Sequence, residues 1–338
     1  MAGDTLLGIG MVRNARAGLK HSAAKDKDLT FEKETPPSPQ LYVFFSFDLV
    51  NSTVYKNKQM GKWPSVFAQF YQVIKEEMKQ RFPGIKVLKY IGDEIIFFKE
   101  IITSGDLFEV IPGASKVLTS TLVHLDNLYN EDFKPLSLKG TIWCAPITVC
   151  EGEEWTNRDM TEFRNIALDV VYENEVSLRD FIGPDIDIGF RISKYAGKEK
   201  LVISADFAYL LLQCSHALCV KDKRDSLVQN LKIVSFEDLK GIWADRYYPI
   251  IWYYDDWKKI KGTFEYDEPF KNKIINNVYL DQVDDLKELA KIYDQLGITG
   301  DKVELLNILK ESEVHARERE EELLKRKKQV RVILDGEE

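Results

Sequence analysis

Leu41-Tyr42-Val43-Phe44-Phe45-Ser46-Phe47-Asp48-Leu49-Val50-Asn51-Ser52-Thr53 is the stretch from which the rest of the chain is read. Its first five residues are apolar and β-prone, the pattern of a strand covered on both faces. The run closes on an acid, Asp48, and a short polar loop follows. Downstream, Val66, Phe67, Phe70, Tyr71, Ile74 and Met78 recur at helical spacing. Residues 85–90 and 95–98 read as two strands joined at Gly92-Asp93, a hairpin signal. Ala114, Val117, Leu118, Thr121, Leu122 and Leu125 mark a second amphipathic helix, and a strand follows over 136–145. The order β-α-β-β-α-β belongs to the ferredoxin-like, or palm, arrangement of the α+β class.

Outward from this core the chain divides into three. Residues 1–40 hold few large apolar side chains and end in Pro36-Pro37-Ser38-Pro39, which reads as a disordered arm and linker. Residues 41–254 form the main domain: after the core come a short helix over 190–196, a strand over 201–204, a helix over 207–213 and late strands over 231–236 and 247–254. Residues 255–338 read as a mostly helical extension. Within it, Leu286, Leu289, Ile292, Tyr293 and Leu296 make a stripe that stops at Gly297, and Val303, Leu306, Ile308 and Leu309 begin a second helix. The last 28 residues are dominated by intermixed Glu, Lys and Arg, the composition of a solvated helix or frayed tail.

Composition narrows the function. The chain has 338 residues, with 47 Lys and Arg against 55 Asp and Glu, a net charge of −8. That balance disfavours a general nucleic-acid binder, which needs a concentrated basic surface. No apolar run approaches the ~20 residues of a membrane span. The stretch over 6–12 is short and broken by glycines, so no signal peptide is expected. Cys144, Cys150, Cys214 and Cys219 form no CxxC pair and no zinc spacing, as expected of core cysteines in a reducing compartment. A cytoplasmic protein with neither membrane nor nucleic-acid partner is expected.

Two segments carry acids where a palm fold brings strand ends together. Asp48 closes the first strand, and Asp93 sits in the hairpin of Lys89-Tyr90-Ile91-Gly92-Asp93-Glu94. Taken singly, Asp48 fits a turn or helix cap and Gly92-Asp93 an ordinary hairpin turn. Taken together in one β-α-β-β frame, they offer paired hard oxygen ligands for two divalent cations and a triphosphate.

With these residues the sequence resembles the class III nucleotidyl cyclases. Phe47-Asp48-Leu49-Val50-Asn51-Ser52-Thr53 is similar to that family's first metal motif, and Lys89 with Gly92-Asp93 to its second. A third match is Asp180-Phe181-Ile182-Gly183-Pro184-Asp185-Ile186-Asp187-Ile188-Gly189-Phe190-Arg191. The family has a base-contacting acid there, an asparagine seven positions later and an arginine four beyond that. Asp180 and Arg191 keep the spacing, whereas Asp187 stands where the asparagine is expected. Leu239-Lys240-Gly241-Ile242 resembles the late segment whose lysine meets the terminal phosphates. The resemblance implies Asp48, Leu49 and Asp93 at two Mn²⁺ or Mg²⁺ ions, and Lys89, Asp180 and Lys240 on the substrate. It implies Arg191 and Asp187 as catalytic positions, in a head-to-tail homodimer with composite sites.

The base is left open by the residues themselves. Lys89 and Asp180 supply a donor and an acceptor, which suit adenine, cytosine or uracil. Asp187, the surrounding Gly183–Arg191 phrase and Lys139-Gly140-Thr141-Ile142-Trp143-Cys144-Ala145 are more similar to the bacterial pyrimidine cyclases of anti-phage signalling, the Pycsar systems. That resemblance implies cyclic UMP, slightly favoured, or cyclic CMP made to switch on a separate effector protein. Tyr42, Tyr90, Trp143 and Phe181 are expected to narrow the base pocket, with core packing as the alternative use of the same rings. An adenylate cyclase making cyclic AMP and a non-catalytic nucleotide sensor are the competing functions. A diguanylate cyclase fits less well, because Ile91-Gly92-Asp93-Glu94-Ile95 lacks that hairpin's paired glycines.

Overall fold

The stretch that opens at Leu41 becomes the central strand of the sheet, β1 (Gln40–Val50). The computed structural model describes residues 38–129, 136–149, 163–171, 177–218, 227, 230–243, 246–253, 289, 291–294 and 305–335. Of the arm and linker expected over 1–40, residues 1–37 lie outside these residues, as does the Leu296–Gly297 helix stop, and Gln40 belongs to β1 instead. After β1 come α1 (Ser52–Lys58), α2 (Trp63–Arg81), β2 (Lys86–Ile91), β3 (Glu94–Glu100), α3 (Ser104–Tyr129) and β4 (Ser137–Val149). These realise the expected β-α-β-β-α-β order. Their strands lie as β2-β3-β1-β4, each antiparallel to its neighbour, which is the ferredoxin-like arrangement.

The sheet then widens. The hairpin β5 (Ile166–Val171) and β6 (Ser177–Ile182) branches from the end of β4, where β5 runs parallel to it. Next are α4 (Pro184–Ile192), β7 (Leu201–Ile203), α5 (Ala205–Leu218), β8 (Leu231–Asp238) and β9 (Tyr247–Tyr253). The full path is β2-β3-β1-β4-β7-β9-β8, so β2 and β8 are the two edges. A final helix, α6 (Leu305–Asp335), packs against β1 and α5.

Alternation along β1 sorts the core into two layers. Leu41, Val43, Phe45, Phe47 and Leu49 face α2 and α3, where Val66, Phe70, Ile74, Val110 and Ala114 meet them. Tyr42 and Phe44 face the other way, into a smaller cluster with Ile96, Phe98, Trp143 and Phe181. Each large side chain buried this way stabilises the fold by roughly 1.5–3 kcal/mol. The second layer is covered by α4 and the β5–β6 hairpin, through Ile186, Phe190 and Phe181.

One expectation needs correction. The helix expected over 190–196 begins at Pro184, and only Ser193–Tyr195 continues it as a 3-10 turn. The reason is local: Gly183 takes φ +150°, Pro184 supplies the preset φ of a first helical turn, and Asp185 and Asp187 sit at the positive end of the helix dipole. The second extension helix is present over Leu305–Asp335, with the charged segment in its helical alternative, while its expected start at Val303 lies outside the described residues. The helix α3 also reaches back to Ser104, across Pro112. A box between Thr103 and Asp106 caps it: Thr103 N–H donates to Asp106 Oδ2 at 3.1 Å, and Asp106 N–H to Thr103 Oγ1 at 3.0 Å. The Ser104 N–H donates to Glu313 of α6.

Candidate active site

Register builds the acidic end. Asp48 lies opposite Glu94 on β3 and opposite Lys139 on β4. Two residues separate β2 from β3, and Gly92 takes φ +65° in that turn, so Asp93 is presented beside the end of β1. The Leu49 N–H donates to the Asp93 carbonyl at 3.4 Å, fastening the turn to β1, and the Tyr71 hydroxyl donates to the Gly92 carbonyl. Asp48, Leu49 and Asp93 are thus brought together as expected. Glu94 accepts a hydrogen bond from the Ser46 hydroxyl.

Each of the two acids has its own ammonium group. Lys139 Nζ lies 3.1 Å from Asp48 Oδ2, and Lys56 Nζ lies 3.5 Å from Asp93 Oδ1. Burial pushes the Asp48 carboxyl up to about 6; Lys139 opposes that shift, while Asp93 and Glu94 add to it. With Glu94 the cluster sets three carboxyl groups against two ammonium groups. Its hard oxygen donors fit Mg²⁺ or Mn²⁺, which take one or two carboxylates and leave other positions to water and phosphate. Among the described residues no three His, Cys, Asp or Glu side chains converge as a complete metal nest. Asp48 and Asp93 are the two side chains that would hold the ions.

The second constellation lies on the same face of the sheet. Lys89 is opposite Ile96, a residue of the smaller core cluster. Its Nζ reaches Asp180 of β6 at 2.9 Å from Oδ1 and 3.1 Å from Oδ2, and sits 5.7 Å from the Phe190 ring centre. The Phe181 N–H also donates to Asp180 Oδ1 at 2.9 Å. A donor and an acceptor separated by 91 residues are therefore prepaired at the open edge of the layer.

Helix α4 carries Asp187 and Arg191 one turn apart; Asp187 is exposed and Arg191 half-buried. Among the described residues neither has an ion pair or a side-chain hydrogen bond. Its first turn is fixed by Asp185, which is buried and held by Arg164 through two bonds, Nε to Oδ2 at 2.6 Å and Nη2 to Oδ1 at 2.7 Å. Asn165 Nδ2 donates to Asp185 Oδ2 and to the Pro146 carbonyl, both at 2.9 Å, tying the helix start to β4. The close approach of α4 to the sheet depends on Gly189, because a Cβ there would strike the Trp143 indole.

Lys240 is not brought to these groups. It is exposed in the turn after β8, at the opposite sheet edge from Lys89. Six strand spacings of about 4.8 Å separate those edges, roughly 29 Å. The aromatic expectation is corrected too. Tyr42, Trp143 and Phe181 are buried in the smaller core, where Phe44 stacks on Trp143 at 5.3 Å and meets Phe181 at 5.0 Å. Tyr90 pairs with Ile95 toward the helix-covered face and packs on Tyr71 at 4.9 Å. These rings are core and flank, not walls of a base pocket.

Sequence reasoning missed Lys56, Lys139, Arg164 and Asn165. Lys139 was recoverable only from the β1–β4 register, which puts it opposite Asp48. The other three had no sequence signal of their own.

No family model and no curated protein matches this sequence. Among solved structures, the guanylyl cyclase Cya2 is similar at 12% identity, over 65% of this chain and 93% of that one, with a TM-score of 0.42. The adenylyl cyclase CyaB from P. aeruginosa is similar at 10% identity, over 65% and 97%, with a TM-score of 0.45. An adenylate cyclase from Trypanosoma brucei is similar at 12% identity, over 68% and 94%, with a TM-score of 0.41. At these values the likenesses carry no functional weight by themselves. Among the described residues no helix is long and apolar enough to cross a membrane.

Proposed function

We propose that this chain is a nucleotidyl cyclase that converts a pyrimidine nucleoside triphosphate, UTP ahead of CTP, into the 3′,5′-cyclic nucleotide and pyrophosphate. The 3′-oxygen bonds to the α-phosphorus, the bond to pyrophosphate breaks, and the hydroxyl proton is lost. The observation that carries this is the pair of constellations on one face of a palm sheet: Asp48 beside Asp93, and Lys89 prepaired with Asp180. Two divalent ions held by Asp48 and Asp93, with Leu49 beside them, would supply charge neutralisation for the triphosphate.

The chain's own residues have separable tasks. Lys89 and Asp180 exchange their mutual bond for one donor and one acceptor on the base edge. Arg191 offers a planar, permanently charged fork to the phosphate under attack, and Asp187, one turn before it, orients the ribose side. Lys240 adds a point charge for the terminal phosphates. Its position across the sheet from Lys89 supports a head-to-tail homodimer in which each site draws on two copies.

The pyrimidine preference rests on the resemblance of the 180–191 stretch to the anti-phage pyrimidine cyclases, since the Lys89–Asp180 pair suits adenine equally. An adenylate cyclase is therefore the second reading. On the first, the product is a second messenger of phage defence, made in the cytoplasm and sensed by a separate effector protein.

The test is to incubate purified protein with all four nucleoside triphosphates and Mn²⁺ in one tube and separate the products. Cyclic UMP or cyclic CMP should exceed the purine products by about tenfold or more, about 1.4 kcal/mol in transition-state free energy. Dominant cyclic AMP would make Lys89 and Asp180 an adenine clamp and remove the defence role. No cyclic product with any nucleotide would make the chain a sensor.

A further inference from the structure

The two acids assigned to the ions are not bare. Lys139 comes from the strand on one side of β1, directly opposite Asp48, and its Nζ lies 3.1 Å from the carboxylate. Lys56 comes from α1, a different element, and approaches Asp93 at 3.5 Å. Lys56 is itself held over two rings, 4.9 Å from the Phe67 centre and 5.8 Å from that of Trp63. Both lysines are mostly shielded from water, with side-chain exposures of 22% and 31%. One ammonium for each acid thus comes from two independent elements, β4 and α1.

Resting on the cyclase function above, we propose that Lys139 and Lys56 are resident counter-ions which occupy the two carboxylates until divalent cations displace them. They thereby set the cation concentration the site requires. The physical basis is direct competition. An ammonium in contact with a carboxylate satisfies the same lone pairs a metal needs, and two cations cannot share them without mutual repulsion. Each ammonium also offsets the mutual repulsion of Asp48 and Asp93 while no divalent cation is bound. Lys139 is thus a positioning residue that acts through Asp48. Displacement leaves two mobile positive groups beside the ions, so that cation entry costs less when an anionic substrate is present to receive them.

The experiment measures Mn²⁺ binding directly, by the electron paramagnetic resonance signal of free Mn²⁺, without nucleotide and at one fixed near-neutral pH for every variant. Lys139→Met removes the charge and keeps the length; it should bind Mn²⁺ about tenfold more tightly than wild type. Lys139→Arg, which keeps the charge, should bind as weakly as wild type. Asp48→Ala should lose the site. If Lys139→Met does not fold, Lys56→Met tests the same competition at Asp93 and should also tighten binding. Asp48-dependent binding that is unchanged or weaker in the folded Met variants would overturn the counter-ion role and leave the cyclase function standing. Mn²⁺ that fails to bind wild type and every variant would likewise overturn the counter-ion role, while the product assay with four nucleotides decides the cyclase function separately.

Discussion

Asp48 on β1 and Asp185 on α4 are both aspartates paired with a basic side chain, yet they are built for opposite ends. Asp185 is closed off, with 7% of its side chain exposed, and takes two short bonds from Arg164 and a third from Asn165. A bidentate, multiply bonded pair of this kind fixes geometry. Asp48 keeps 28% of its side chain exposed and has one 3.1 Å contact with a flexible lysine. A part-exposed pair with one such contact contributes little, about 0–1 kcal/mol, and exchanges partners more readily than a bidentate one. Burial pushes the Asp48 carboxyl up, and the single lysine contact only partly offsets that. Identical side chains are thus separated into anchor and docking point by solvent access and bond count, before any ligand is considered.

Four experiments test how far that contrast goes. The largest effect belongs to the docking point: Asp48→Ala and Asp93→Ala should each cut cyclisation to below about 1% of wild type while the melting temperature stays near that of wild type. Product assays beside thermal unfolding check it, and activity within a few-fold of wild type would break the contrast outright. Next comes the composite site. Asp93→Ala mixed with Arg191→Ala should recover part of the lost activity, because one interface of a mixed dimer keeps every group. No recovery despite demonstrated subunit exchange would place the whole site in one chain.

The anchor should behave differently. Asp185→Ala should cost about 2 kcal/mol of stability, on the low side for a broken buried pair because Arg164 retains some contact with water. That is a fall in melting temperature of about 5 °C, read by calorimetry. The smallest effect sharpens the comparison: Lys139→Met should change stability by less than about 1 kcal/mol in the same measurement. A loss as large as that of Asp185→Ala would make Lys139 a second anchor.

Much of the fold could be read from residues because its strongest elements are its most regular ones. The run from Leu41 to Phe45 and the helical spacing of Val66 to Met78 are buried on faces the periodicity marks. Asp48 and Asp93 were legible because strand ends and hairpin turns have local signals. The β5–β6 hairpin was not, since two six-residue strands that pair mainly with each other leave little alternation to detect. The start of α4 was misplaced because Gly183-Pro184 serves equally as a turn or as a helix entry. The aromatics were assigned to a pocket because composition cannot tell a wall from a core. What identifies Trp143 as core is its neighbour Gly189, which leaves the indole no free face there. Lys139 and Lys56 acquire meaning only from register and packing, which no single position encodes.

The cap that Glu313 places on the start of α3 joins residues 209 positions apart. During synthesis at about 5–20 residues per second, the Ser104 amide waits on the order of 10–40 s for its partner to leave the ribosome. Through that interval the helix behind β1 has an unfinished first turn, held by its Thr103–Asp106 box alone. Maturation of the domain is therefore timed by its tail, and a nascent chain halted before α6 emerges is a different molecule from the finished one.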